Sequence, residues 1–81
     1  MMKRGIFMKL YTKTICPKCL WVKSEIERAG LDVEIVNIDH DEQAKQTIMD
    51  AGFLSVPVLE YKETLIGDVK EIVSQIELIA Q

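Results

Sequence analysis

Leu10-Tyr11-Thr12-Lys13-Thr14-Ile15-Cys16-Pro17-Lys18-Cys19 is the stretch that decides the fold. Ile6-Phe7-Met8-Lys9-Leu10-Tyr11 is mostly apolar and reads as a strand. Thr12–Ile15 is a short loop. Cys16-Pro17 then reads as a helix start, because proline suits the first helical position, where its missing N–H costs little. In the helix that follows, Cys19, Val22, Ile26 and Ala29 recur at helical spacing and form one buried stripe. Gly30 supplies the C-terminal stop. Trp21 lies off the stripe and is expected to be a partly covered packing residue.

The rest of the chain repeats this logic. Val33–Ile38 is a second strand. Asp39 is expected to cap the next helix, with Glu42 three residues on as in a capping box. Ala44, Ile48 and Ala51 mark its inner face, and Gly52 ends it. Val56–Tyr61 is a third strand opened by Pro57, Lys62-Glu63 turns the chain, and Thr64–Ile66 is a short fourth strand. Asp68 caps a last helix whose inner stripe is Val69, Ile72, Val73, Ile76 and Ile79. The order β-α-β-α-β-β-α predicts an α/β fold. The first two strands are joined through a helix and should be parallel, and the last two should form an antiparallel hairpin. Three amphipathic helices then cover both faces of a four-stranded mixed sheet.

Length and composition bound the function. The sequence has 81 residues, room for one domain, with Met1–Gly5 read as an extension before it. At 48% hydrophobic and 28% charged it is globular, and no apolar run is long enough to span a bilayer. No apolar signal core follows Lys3-Arg4, so the expected compartment is the cytosol and the expected state a monomer. The net charge of −3 argues against a nucleic-acid partner. Its distribution matters more. Up to residue 24 the chain carries Lys3, Arg4, Lys9, Lys13, Lys18 and Lys23 and no acid, and both cysteines lie in this stretch. A positive field there favours a thiolate or an anionic substrate.

In the cytosol a lone close cysteine pair is redox-active or metal-binding rather than structural. If Cys16 caps the helix, its sulfur faces the unpaired N–H groups of the first turn and the positive end of the helix dipole. Lys13 and Lys18 add charge. The pKa of Cys16 is expected to fall from about 8.5 toward or below neutrality. A fall of that order is worth about 2 kcal/mol, or roughly 45 mV in a two-electron couple. Cys19, on the buried stripe, keeps a higher pKa. Cys16 is therefore expected to attack a substrate disulfide and Cys19 to resolve the mixed disulfide. The competing reading is a soft-metal site. A structural zinc needs four ligands, and the chain offers two cysteines and the distant His40, so only a dimer could complete it. His40 itself reads as an exposed residue at a helix start.

Tyr11-Thr12-Lys13, Cys16-Pro17-Lys18-Cys19, Ser55-Val56-Pro57 and Gly67-Asp68 stand in the order and near the spacing of a glutaredoxin. From about residue 6 to the end, the chain resembles a small dithiol glutaredoxin. The resemblance implies a thioredoxin-like sheet with the first strand inside and a cis Val56–Pro57 bond beside the cysteines. It also implies a substrate or glutathione site drawn from Lys13, Pro17, Lys18, Val56, Pro57, Gly67 and Asp68. In it the Val56 backbone would pair with the substrate, Lys13 would hold a carboxylate and Asp68 an amine. No bound cofactor or metal is implied; glutathione would be a co-substrate and protein disulfides the targets. Two features depart from the glutathione-binding pattern. Ile66-Gly67-Asp68 has one glycine where two are usual, and Lys18 stands where an aromatic residue is usual. Ala51–Pro57 looks more like the NrdH-redoxins, which resemble glutaredoxins but draw electrons from thioredoxin reductase, a flavoprotein disulfide reductase. The tryptophan-serine-glycine-phenylalanine run of the NrdH-redoxin tail is absent.

Overall fold

The computed structural model describes residues 8–80, so the expected extension at Met1–Gly5 and the Ile6-Phe7 start of the first strand lie outside the described residues. The order is β1 Met8–Thr12, α1 Pro17–Arg28, β2 Glu34–Asn37, α2 Glu42–Asp50, β3 Val58–Tyr61, β4 Thr64–Ile66 and α3 Val69–Ala80. The sheet runs β2-β1-β3-β4, which puts the first strand inside. β1 pairs in parallel with β2, from Lys9 opposite Glu34 to Thr12 opposite Asn37. It pairs antiparallel with β3, and β3 pairs antiparallel with β4.

Strand alternation divides the core into two layers. Met8, Leu10 and Leu59 point to one face and are buried with Val22 and Ile26 of α1 and Ile72 and Ile76 of α3. Tyr11 and Val58 point to the other and are buried with Ile48 of α2. Two helices thus cover one face and one covers the other. The buried Tyr11 hydroxyl donates to Glu60 Oε1 at 2.8 Å. Burial first, and then the Glu60 carboxylate, push the phenol up to about 12.

Chain reversals follow local chemistry, with three departures from expectation. α1 and α2 both end on glycines of positive φ, Gly30 at 72° and Gly52 at 98°. In each, the next residue's N–H reaches back five positions, Leu31 to Ile26 and Phe53 to Ile48. This is the Schellman closure, and it needs a residue that tolerates left-handed backbone. Ala51 caps that end and is exposed rather than on the inner face of α2. The β3 ladder begins at Val58, two residues later than the sequence suggests, since Pro57 has no N–H to give it. The third departure is the start of α2. Asp41 is its N-cap, accepting from Ala44 N–H at 3.0 Å. Asp39 is committed elsewhere, as shown below.

The β3–β4 hairpin turns on Lys62 and Glu63, both at positive φ (50° and 65°). That geometry matches the twist of the two strands, but it normally selects Asn-Gly, and a side chain there costs roughly 1–2 kcal/mol per residue. Lys62 Nζ lies 5.4 Å from the Tyr61 ring centroid, a cation–π contact that offsets part of the cost.

Candidate active site

β1 delivers the chain to the start of α1, and the expected cysteine geometry is found there. Cys16 is the N-cap, with extended backbone (φ −155°, ψ 90°), and Pro17 occupies the first turn. The Cys16 sulfur accepts from the Cys19 N–H at 3.1 Å. The two cysteines form a disulfide with Cα atoms 5.2 Å apart. No acidic side chain sits in the first turn of α1 to compete for its positive end. Cys19 is 3% exposed on the Val22–Ile26 stripe, whereas Cys16 is half-buried. One sulfur can be reached from outside and its partner waits behind it.

The Val56–Pro57 bond is cis, and Pro57 is buried. The Val56 carbonyl oxygen lies 4.0 Å from Cys16 Sγ. Two grooves open at these elements, of which only the second is lined by the cysteines. The first, of about 460 Å³, is lined by Lys18, Trp21, Val56, Pro57, Gly67 and Asp68 among others. Residues expected from three separate motifs therefore meet in one place. Lys13 is not among them. It lines the second groove, of about 350 Å³, which borders both cysteines. Pro17 is exposed at the helix start. Trp21, expected to be packing, is 51% exposed and forms part of the wall of the first groove.

Gly67 and Asp68 each have a structural task. A Cβ on Gly67 would lie 2.6 Å from Cδ1 and Cε1 of Phe53, so only glycine lets that edge of the ring come so close to the chain. The contact ties the segment leading to Pro57 to the start of α3. Asp68 caps that helix, its carboxylate accepting from Glu71 N–H at 3.2 Å.

Asp39 is the site residue that sequence reasoning misplaced. Its carboxylate accepts from the Thr14 N–H at 2.9 Å, across 25 residues. Its own N–H donates to Asn37 Oδ1 at 2.8 Å, while Asn37 Nδ2 donates to Thr14 Oγ1 at 3.4 Å. This network pins the loop that presents Cys16. The Thr14 N–H and hydroxyl, with help from Lys13 and His40, hold the Asp39 carboxyl below the usual carboxylate range. Asn37-Ile38-Asp39 at a strand end carried the signal, since such side chains bind nearby backbone in turns.

Among the described residues, no group of three or more His, Cys, Asp or Glu side chains is placed to hold a metal ion. No helix among them is long and apolar enough to cross a membrane.

Known proteins share these features. The glutaredoxin family model matches residues 8–66. The glutaredoxin-like protein NrdH of Escherichia coli K12 is 32% identical over 50 residues, 62% of this chain and 62% of that protein. The match thus spans less than two thirds of that relative's length. Among solved structures, NrdH-redoxin from Escherichia coli superposes with a TM-score of 0.81 at 23% identity, covering 90% of this chain and 93% of that one. Glutaredoxin 1 from Francisella tularensis gives 0.73 at 23% identity, covering 93% of this chain and 96% of that one. The chain belongs to the glutaredoxin family, and its sheet and helices are those of the thioredoxin-like fold.

Proposed function

We propose that this chain is a dithiol thiol–disulfide oxidoreductase that reduces disulfides in other proteins. The observation that carries the reading is Cys16 Sγ placed as the N-cap of α1, with Cys19 sheltered one turn behind. In the reduced protein the Cys16 thiolate attacks one sulfur of a substrate disulfide, R–S–S–R′. A Cys16–S–S–R bond forms and R′S⁻ leaves, taking up a proton. Cys19 then loses its proton and attacks the Cys16 sulfur, closing the Cys16–Cys19 disulfide and releasing RS⁻. Two electrons pass to the substrate, and the Cys19 proton together with one from solvent completes its two thiols. The helix N-terminus lowers the cost of holding Cys16 as an anion between turnovers.

The first groove is where the substrate's cysteinyl segment would lie, with Val56 offering its backbone beside Pro57, and with Lys18, Gly67 and Asp68 around it. Two reductants could restore the dithiol. A flavoprotein disulfide reductase is the one we favour, because the 32% identity is to an NrdH and the single glycine of Ile66-Gly67-Asp68 departs from the glutathione-binding pattern. The NrdH-redoxin structure is itself described as having a thioredoxin-like activity profile. Glutathione is the second reading, favoured by the Asp68 carboxylate in the first groove and the Lys13 ammonium in the second. We place the activity in the cytosol, where such a pair is kept reduced, with no resident cofactor and the chain acting as a monomer. The competing metal-carrier reading needs two copies to supply four ligands.

Disulfide reduction assayed in parallel with thioredoxin reductase plus NADPH, and with glutathione plus glutathione reductase, tests this. Turnover is expected with the first and weak or absent with the second. Turnover with neither, together with stoichiometric metal in the freshly purified protein, would overturn the oxidoreductase reading.

A further inference from the structure

The two grooves differ in charge. The first mixes signs, with Lys18 and Lys70 set against Asp68. The second is bounded by Lys13, Lys23 and His40 and has no acidic lining residue among those described. Asp39 does not line the groove but stays an anion beside Lys13 and His40, held by the Thr14 N–H, so two lysine charges stand against one carboxylate there. The second groove is also the one bordered by both Cys16 and Cys19. Beside its cations lie two apolar side chains in the open, Leu20 at 65% and Ile35 at 41% exposure. This cationic cleft belongs to a chain of net charge −3, whose residues 41–81 carry eight acids (Asp41, Glu42, Asp50, Glu60, Glu63, Asp68, Glu71 and Glu77) and three lysines. An acidic partner is repelled by much of the surface and attracted here, which orients it toward the reacting sulfur.

We infer that the groove between Lys13, Lys23 and His40 docks an acidic segment of the protein that exchanges disulfides at Cys16, with an apolar side chain of that segment resting on Leu20 and Ile35. This rests on the dithiol chemistry proposed above and specifies its partner. The lysines supply long-range attraction, and the apolar pair supplies contact once the segment has arrived. The segment would occupy a groove that Val56 and Pro57 do not line, so a partner bound there can still present its sulfur to the first groove.

Single-turnover reduction by prereduced protein, followed through Trp21 fluorescence, separates the two ideas. Three probes are used: bis(2-hydroxyethyl) disulfide, which is uncharged; a disulfide peptide flanked by Asp and Glu; and the same peptide with Asn and Gln. At low ionic strength the acidic peptide is expected to react about tenfold faster than its neutral twin. The gap should close in about 0.5 M salt. K23E should abolish or invert the preference, K23Q should shrink it, and K70E, in the first groove, should leave most of it. Equal rates for the two peptides would overturn the docking inference, and so would a preference that survives K23E but disappears in K70E. Failure to reduce even the uncharged disulfide would instead overturn the oxidoreductase reading, and the docking inference with it.

Discussion

The three helices among the described residues begin in two different ways. α2 and α3 are capped by carboxylates, Asp41 accepting from Ala44 N–H at 3.0 Å and Asp68 from Glu71 N–H at 3.2 Å, and each has a glutamate in its first turn. α1 is capped by a sulfur, Cys16 accepting from Cys19 N–H at 3.1 Å, with no acid in its first turn. The geometry is the same and the chemistry is not. A carboxylate permanently neutralises the positive end of its helix. A sulfur does so only as a thiolate, so the unspent field of α1 is available to stabilise the reduced state. The same capping rule makes two helix ends stable and the third reactive.

The largest expected effect breaks this contrast at Cys16. Serine is among the better N-cap residues, so C16S should retain the stability of the reduced protein to within about 0.5 kcal/mol. Its disulfide-reductase turnover should fall by at least about a thousandfold, because the hydroxyl is neither an anion nor a disulfide former. Thermal melts in reductant and turnover on the same sample check both halves. C19S separates the roles: it should accumulate a mixed disulfide at Cys16 with a substrate peptide, visible as an added mass that dithiothreitol removes. If C19S cycled normally, the resolving role would be lost.

Next in size is Gly67. It sets the approach to α3 by letting the Phe53 ring lie against it, and no cysteine is involved. G67A places a methyl 2.6 Å from that ring, and overpacking of this kind costs about 1–3 kcal/mol. Denaturant melts should show the loss in both redox states. A variant as stable as the parent would mean that the ring moves aside freely and that the first groove is softer than its geometry suggests.

The carboxylate caps come third. D41A and D68A should each cost about 1 kcal/mol, roughly 4–8 °C in Tm for a domain of this size. They should differ in function. Asp41 lines neither of the two grooves at the cysteines, whereas Asp68 lines the first. Only D68A should weaken any glutathione-dependent turnover. Equal effects of the two on that assay would remove Asp68 from the substrate site.

These cases also show what the sequence could tell. The helix starts at Cys16-Pro17 and Asp68, the stripe Cys19–Val22–Ile26 and the short β4 strand were legible, because each is set by neighbours within a few residues. The cis bond and the inner position of β1 came only through the glutaredoxin resemblance. Three features depended on distant parts of the chain. Lys62-Glu63 makes a left-handed turn without glycine or asparagine, so the register of two strands decides it, not the turn residues. Lys13 and Asp68 read as one site but line different grooves, and only the Lys13 groove is lined by the cysteines. Asp39 was expected to cap α2, but its carboxylate accepts a Thr14 N–H 25 residues away and Asp41 is the cap instead.

Asp39 gives the smallest and most diagnostic prediction, because it is an acid that caps no helix yet lies nearest the sulfur-capped one in the loop network. Its carboxyl is held below the usual range by the Thr14 N–H and hydroxyl. A group whose folded pKa is depressed contributes stability that is present above its unfolded pKa, about 3.9, and lost as pH falls through the folded value. The loop before Cys16 should therefore stay pinned throughout neutral and mildly acidic solution and loosen only below the ordinary carboxylate range. Asp39 is fully exposed, so the effect is local rather than a threat to the fold. NMR titration should show the Thr14 amide shifting upfield with the same low midpoint as the Asp39 carboxyl. D39N keeps an acceptor oxygen and should abolish that titration while leaving the amide bonded; D39A should release it at every pH. A Thr14 amide indifferent to both substitutions would mean that the loop is held by the Asn37 contact alone, and that the second acid of the pair has no part in presenting Cys16.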